Sequence, residues 1–184
     1  MRRLLSVWVV LLVAGCATLS REDCARGDWA GLGLNDGRAG EPGSRFDEHQ
    51  KACREYGIAV DQEAYLSGRD QGLQDYCRLD NAFQIGLSGK PYHHVCPPSI
   101  DGLFAHYHAT AFALQQARAE LDRLDNDLAG QERDLYAKKL SDKEQLRIRD
   151  HIRDLDRQRD RLRGDMYHHE RELDNLRREA GAYH

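Results

Sequence analysis

Residues 138–144 read Lys138-Lys139-Leu140-Ser141-Asp142-Lys143-Glu144, and they interrupt two long series of regularly spaced apolar residues. Ser141 and Glu144 form an S-x-x-E pattern, which is typical of a capping box at the start of a helix. Lys138 and Lys139 lie where cations interact favourably with the negative end of a preceding helix. The segment therefore predicts a break between two helices.

On both sides of this break the spacing alternates between three and four residues, which is the 3.5-residue period of a coiled-coil seam. The two series do not share one phase, because an extension of the first would skip Ile148 and Leu155. We predict helices over 101–139 and 142–180, each about 58 Å long. The first seam is Tyr107, Thr110, Leu114, Ala117, Leu121, Leu124, Leu128, Gln131, Leu135 and Lys138; the second is Ile148, Ile152, Leu155, Arg159, Leu162, Met166, His169, Leu173, Leu176 and Ala180.

Nearly equal lengths around a capped break predict an antiparallel hairpin within the chain. Polar seam residues such as Gln131, Arg159 and His169 would weaken the hairpin locally while fixing its register. The alternative is one unbroken helix that forms a coiled coil with another chain. The hairpin predicts these neighbours: Leu128 near Ile152 and Leu155, Leu121 near Leu162, and Leu114 near Met166.

The first fifteen residues have the pattern of a secretory signal peptide. Arg2 and Arg3 precede a mostly apolar run over 4–14, which is too short to span a bilayer. The run ends in Val13-Ala14-Gly15-Cys16, which resembles a lipobox. We therefore expect cleavage before Cys16, acylation of its thiol and anchoring in the outer membrane on the periplasmic side, with Ala17 arguing against inner-membrane retention. The alternatives are an ordinary signal peptide with a chance cysteine, or an apolar anchor that stays attached.

Four further cysteines, Cys24, Cys53, Cys77 and Cys96, lie in the segment 16–98. An even number of cysteines in an oxidising compartment predicts two disulfides. Three pairings are possible. We favour Cys24–Cys53 with Cys77–Cys96, because short loops close most readily.

An aromatic residue followed by spaced glycines occurs three times in the N-terminal half. Glycine inside a helix costs about 1 kcal/mol relative to alanine, so its repeated use needs a reason. Two of the sets predict close packing of helix backbones, while the alternative is that some glycines occupy turns or helix ends. The sets are Trp29 with Gly33, Gly37 and Gly40; Tyr65 with Gly68 and Gly72; and Phe83 with Gly86 and Gly89, the last glycine in a predicted turn.

Several of these residues form a longer motif string: Asp28-Trp29, 33–40, 65–69, 72–77 and 92–97. The string resembles an uncharacterised family of bacterial envelope lipoproteins, domain of unknown function 2799, over about residues 16–98, with a weaker continuation into the following helices. The resemblance implies an envelope lipoprotein, and it brings no assigned active site.

A cluster of histidines, His93, His94, His106 and His108, is the best candidate for a metal site, since imidazole binds zinc and copper. Against this, Cys96 is more simply a disulfide partner. His106 and His108 would also point to different faces of one helix. We therefore expect no bound metal or cofactor, and keep the cluster as the basis of an alternative function.

Catalytic patterns are weak. The spacing Gly31-x-Gly33-x-x-x-Gly37 resembles a dinucleotide-binding loop, but no apolar strand precedes it. Asp36 and Asp70 could form a carboxylate pair for glycan cleavage, although capping or salt bridges to Arg38 and Arg69 are commoner. We find no hydrolase or P-loop motif, and predict a protein that is not an enzyme.

Removal of residues 1–15 leaves 169 residues with 25 basic and 31 acidic side chains, a net charge of −6. Without a basic tract, nucleic-acid binding is not expected. The sequence predicts a mostly α protein with a signal peptide (1–15), a disulfide-stapled, glycine-rich cap of short helices (16–98) and a long antiparallel coiled-coil hairpin (99–184). We expect a membrane-anchored adaptor that engages another envelope protein; the alternative is a metal- or small-ligand-binding module.

Overall fold

A computed structural model describes residues 19–137 and 139–181. Within those ranges the chain is helical and contains no strand, which confirms the mostly α fold. The predicted signal peptide and Cys16 lie outside the described residues. None of the described helices is both long and apolar enough to cross a membrane. The helices are α1 (Arg21–Arg26), α2 (Trp29–Ala39), α3 (Arg45–Arg54), α4 (Gln62–Tyr76), α5 (Leu79–Leu87), α6 (Pro98–Ala137) and α7 (Asp142–Gly181).

Short polar side chains start the first helices of the cap. Ser20, Asp28 and Asp61 each accept a hydrogen bond from a backbone amide in the first turn of α1, α2 and α4. Helix α2 ends at Gly40, whose φ of 69° lies in the left-handed region that glycine adopts without strain. The cap helices are therefore short because the sequence starts and stops them locally.

Helices α2 and α4 pack backbone against backbone at four glycines. A Cβ atom on Gly33 or Gly37 would fall within 3.0 Å of a carbonyl oxygen of α4, and one on Gly68 or Gly72 would meet α2 in the same way. The contacts advance together along both helices, so α2 and α4 run in the same direction and α3 lies between them in sequence. The predicted close packing is confirmed for these glycines, whereas Gly40 is a helix end.

The two disulfides join Cys24 to Cys53 and Cys77 to Cys96. The first links α1 to α3, and the second links the end of α4 to the loop before α6. This is the pairing that loop length favours. The sulfur atoms of Cys24 and Cys53 belong to a small core with Trp29, Phe46 and Tyr65.

Helix α5 packs on the first third of α6, again through a glycine. Gly86 faces the carbonyl oxygen of His108 and the side chain of Ala111, and the rings of Phe83 and Tyr107 are stacked with centroids 4.9 Å apart. The resulting apolar core combines residues from both sides of residue 98, including Leu114 on α6 and Leu173 and Leu176 on α7.

Helices α6 and α7 form the predicted antiparallel hairpin, and they break where the sequence indicates. Ser141 and Glu144 make the reciprocal bonds of a capping box, with the Ser141 amide donating to Glu144 Oε2 at 2.8 Å. Cross-helix ion pairs join Arg118 to Glu170 and Arg159 to Asp125. A second apolar cluster nearer the turn contains Leu124, Leu128 and Leu155, with Ile152 and Leu162 packed against it.

Candidate functional site

The α2–α4 crossing brings a buried polar cluster together. Asp36 immediately precedes Gly37 on α2, and Tyr65 lies three residues before Gly68 on α4. His49 reaches the same point from α3. The exposed fractions of Asp36, His49 and Tyr65 are 9%, 1% and 0%.

One carboxylate oxygen holds this cluster. The Tyr65 hydroxyl donates to Asp36 Oδ2 at 2.7 Å, and His49 Nε2 lies 2.8 Å from the same oxygen. Burial opposes ionisation of Asp36, but the hydrogen bonds with His49 and Tyr65 outweigh it, so the pKa of Asp36 lies below its ordinary value. Burial, together with the hydrogen bond to Asp36, raises the pKa of the Tyr65 hydroxyl.

The chemistry open to this cluster is limited by access. General acid–base catalysis requires the side chain to reach a substrate proton, and His49 and Tyr65 are enclosed by the cap helices. The cluster instead joins α2, α3 and α4 by hydrogen bonds, because each of these helices contributes one of its three side chains. The sequence did not indicate this cluster, because Asp36 is 13 residues from His49 and 29 residues from Tyr65.

The proposed carboxylate pair is not assembled. Asp36 is buried, whereas Asp70 is exposed on α4. The alternative of salt bridges to Arg38 and Arg69 is not seen either: Arg38 pairs with Asp75 at 2.9 Å, and Arg69 donates to the Glu41 carbonyl oxygen. Parallel packing of α2 on α4 places Arg38 beside the last turn of α4, which is why Asp75 is its partner.

The region with a dinucleotide-like glycine spacing is α2 itself. Gly31, Gly33 and Gly37 all lie inside this helix, and short helix α1 comes before it. Gly31 lies against the Asp28 side chain at the start of the helix, and Gly33 and Gly37 lie against the α4 backbone. A phosphate-binding loop between a strand and a helix is therefore absent from this part of the described chain.

The four histidines that suggested a metal site do not share a partner. His108 is buried and its Nε2 lies 2.8 Å from the Lys90 carbonyl oxygen, while His94 Nδ1 lies 3.1 Å from Asp101 Oδ2. His93 and His106 are exposed. Across residues 19–137 and 139–181, no group of three or more His, Cys, Asp or Glu side chains is placed to hold a metal ion. The metal-binding alternative is therefore not favoured.

A second polar cluster surrounds Tyr92 in the loop before α6. Its hydroxyl donates to Asp101 Oδ1 at 2.5 Å and accepts from the Cys96 amide at 3.1 Å. The hydrogen bonds from Tyr92 and then His94 hold the pKa of Asp101 below its ordinary value. His94 adopts a φ of 53°. The cluster fixes the loop that carries Cys96 onto the first turn of α6.

Two open cavities lie beside α5. One of about 370 Å³ lies between the end of α2, α5 and the following loop, and its lining includes Arg38, Glu41, Lys90 and His93. The other, about 660 Å³, is a groove between α5 and the end of α7 over Phe83 and Ala180. Neither contains a buried nucleophile beside a base, so neither has the features of a hydrolytic centre.

Comparison with known protein families finds a match that covers most of the cap. Residues 28–113 match the family model described as "Protein of unknown function (DUF2799)". The matched segment begins later than the resemblance suggested and continues into α6 as expected. Phe104, Tyr107 and Ala111 of α6 belong to the same core as Phe83 of α5. No curated protein and no solved structure matches the chain significantly. Residues 28–113 are therefore similar to a domain family of unknown function.

Proposed function

We propose that this chain is a lipid-anchored protein of the bacterial outer membrane that faces the periplasm and uses its helical hairpin to bind another envelope protein. The role is one of binding and not of catalysis. The observation that carries the proposal is the long hairpin, most of which extends beyond the family domain.

The hairpin is much longer than its packing on the cap requires. Each helix has 40 residues, which corresponds to about 60 Å. Only the start of α6 and the end of α7 join the core around Phe83 and Leu114. Nearer the turn, buried apolar side chains pack only between the two helices. The remaining surface is charged and exposed, which suits recognition by a partner.

The N-terminal end supports anchoring close to the membrane. Ser20 caps α1 only four residues after Cys16, and four residues span at most about 14 Å. Helix α1 is in turn held to α3 by the Cys24–Cys53 disulfide. A lipid on Cys16 would therefore hold the cap at the bilayer, while the hairpin could extend tens of ångströms from it.

Anchoring is tested by Cys16→Ser in cells that produce the full chain. We expect the wild-type protein in the outer-membrane fraction with an acyl chain detectable by mass spectrometry, and the variant without that mass and without outer-membrane retention. Membrane retention of the variant at the wild-type level would contradict lipid anchoring. Cys77→Ser is not a suitable control because it breaks a disulfide, so Ser6→Ala serves instead.

Partner binding is tested by photo-crosslinking in intact cells. A crosslinking residue is placed at Gln116, Arg133, Arg149 or Arg171 on the hairpin, and at exposed Leu66 on α4 as the matched control position. We expect one recurrent envelope protein at neighbouring hairpin positions and not at Leu66. Crosslinks only to a second copy of the chain would indicate an oligomeric coiled coil and contradict the adaptor role. Crosslinks only from Leu66 would indicate that the cap, and not the hairpin, binds the partner.

A further inference from the structure

The turn end of the hairpin exposes two large apolar side chains among basic residues. We define this hairpin tip by six residues: Tyr136, Lys139, Lys143, Leu146, Arg147 and Arg149. The exposed fractions of Tyr136 and Leu146 are 86% and 60%, the two highest among the large apolar side chains of the described chain. Neither side chain belongs to the apolar clusters that hold the hairpin together.

The cations of the hairpin tip make few contacts with acidic side chains. The hydrogen bonds with Ser141 lower the pKa of Glu144, and Arg147 lies close enough to that carboxyl to help lower it. Lys139, Lys143, Arg147 and Arg149 are all exposed, and none makes a salt bridge to another described residue. Further along α7, Arg153 pairs with Asp150, Arg157 with Asp154, and Arg159 with Asp156, whereas exposed Arg161, Arg163 and Arg171 make no salt bridge to another described residue. The described residues between 136 and 149 contain only two acidic side chains, Asp142 and Glu144. The tip is therefore positive although the whole chain carries a net charge of −4.

The arrangement along α7 presents apolar and basic groups together. Lys143, Leu146 and Arg149 are spaced three residues apart, so they lie along one side of the helix. The seam residue Ile152 instead packs against the leucines that join α6 to α7. Leu146 is thus exposed because it stands outside the seam. Lys143 and Arg149 lie three residues from it, and Asp142 and Asp150 lie four residues from it.

We propose that the hairpin tip binds the surface of an anionic lipid bilayer. Cations near an anionic bilayer each gain electrostatic attraction, and tyrosine favours the membrane–water interface. A stable protein interface buries about 800 Å² on each partner around an apolar centre. The end of a two-helix hairpin with two exposed apolar side chains is too small to form a protein interface of that area. Binding to the flat, charged surface of a bilayer does not require an apolar centre. The proposal is independent of any protein partner along the hairpin sides.

The test places a fluorescent reporter at the contact itself. Tyr136→Trp is made in the full protein, which is isolated from cells and held in phosphatidylcholine vesicles. A second population of vesicles is added that contains phosphatidylglycerol and brominated lipid, so that a tryptophan in contact with those bilayers is quenched. We expect quenching of the variant but not of the wild-type protein, because Trp8 is removed with the expected signal peptide and Trp29 of the cap is buried.

Matched variants, all made in the Tyr136→Trp background, separate the tip from overall charge. Replacement of the four tip cations by glutamine should raise the lipid concentration for half-maximal quenching by roughly tenfold or more. The control replaces Arg161, Arg163, Arg171 and Arg178, which are also exposed on α7, and removes the same charge; it should change that concentration less than twofold. Salt at about 1 M should abolish the quenching of the introduced tryptophan, because screening then acts within about 3 Å.

Three outcomes would each overturn the proposal. The first is equal quenching by neutral brominated vesicles, and the second is no quenching at all. The third is an equal change, in the two fourfold variants, of the lipid concentration for half-maximal quenching. A change in the emission of the introduced tryptophan with polyglutamate but not with anionic vesicles would also overturn it, and would assign the tip to an acidic protein. Circular dichroism of every variant, with unchanged helicity, ensures that loss of quenching reports on the surface and not on unfolding. The crosslinking positions Gln116, Arg133 and Arg171 lie outside the tip. The crosslinking experiment can therefore contradict the adaptor function without affecting the result of the quenching experiment.

Discussion

His49 Nε2 lies 2.8 Å from Asp36 Oδ2, inside a cap whose helices are otherwise held by glycine contacts and disulfides. Because Tyr65 donates to the same oxygen, the cluster makes the packing of α2, α3 and α4 depend on one ionised side chain. The cap should therefore respond to changes at Asp36 more strongly than its small apolar core suggests.

Stability should fall in acid because of Asp36. Its pKa is lower in the folded protein than the value of about 3.9 in an unfolded chain. As the pH falls, the unfolded chain takes up this proton first, so the stability contributed by the ionised carboxylate is present above about pH 4 and is lost as the pH drops through the folded pKa. Urea unfolding of wild-type and Asp36→Asn proteins between about pH 7 and pH 3 measures this. We expect a smaller acid-induced decrease in the variant, while Asp101 retains part of the effect. Identical pH profiles would contradict the role of Asp36.

Tyr65→Phe should destabilise the cap by about 1–3 kcal/mol, because a buried carboxylate loses a hydrogen-bond donor while the ring packing is kept. Tyr167→Phe is the matched control, since Tyr167 is exposed on α7, and its effect should lie within about 0.5 kcal/mol. Urea unfolding followed by circular dichroism measures both. Equal effects of the two substitutions would show that the Tyr65 hydroxyl contributes nothing to stability.

Alanine should have opposite effects at two kinds of glycine. Gly68→Ala places a methyl group against the Ala30 carbonyl oxygen, so the α2–α4 crossing must shift, and we expect a loss of about 1–3 kcal/mol. Gly164 lies in α7 with nothing within 4 Å of its Cβ position, and Gly164→Ala should stabilise by about 0.5–1 kcal/mol through helix propensity. Thermal unfolding of the oxidised proteins provides the comparison. A stabilising Gly68→Ala would contradict the direct backbone contact.

Loss of a disulfide should weaken the cap more than the hairpin turn. The Cys24–Cys53 and Cys77–Cys96 bridges close loops with sequence separations of 29 and 19, and each should contribute about 3–4 kcal/mol by restricting the unfolded chain. The double variants Cys24→Ser/Cys53→Ser and Cys77→Ser/Cys96→Ser are compared with wild-type protein by urea unfolding, with and without reductant. Reductant should lower the stability of wild-type protein at least as much as either variant does, and no response to reductant would argue against bridges in the isolated protein.

The hairpin near its turn should open more readily than the cap. Only three buried leucines, Leu124, Leu128 and Leu155, with partly buried Ile152 and Leu162, form the core of this part of the described chain. Leu128→Ala should remove about 2–5 kcal/mol of local stability. Hydrogen exchange should show faster exchange over about 120–160 in the variant and unchanged protection in α2 and α4. Leu146→Ala is the exposed control and should leave exchange rates nearly unchanged. Faster exchange in the cap as well would mean that the two parts unfold together.

The sequence by itself determined the helical hairpin and the composition of the cap. The seam and the Ser141–Glu144 capping box are local patterns, because helix periodicity and capping involve residues only three or four positions apart. The spacing of Gly33, Gly37, Gly68 and Gly72 indicated close helix packing for the same reason. Loop length likewise favoured the cysteine pairing seen in the structure.

Only the tertiary structure decided which polar groups meet. Asp36 joins His49 and Tyr65 because three helices cross at one point, and Arg38 reaches Asp75 because α2 and α4 run in parallel. The histidine cluster at 93–108 separates for a similar reason: His108 enters the core while His93 and His106 remain at the surface. Local sequence patterns give helices and their faces, but contacts between distant residues depend on the crossing geometry of those helices, which no single segment encodes.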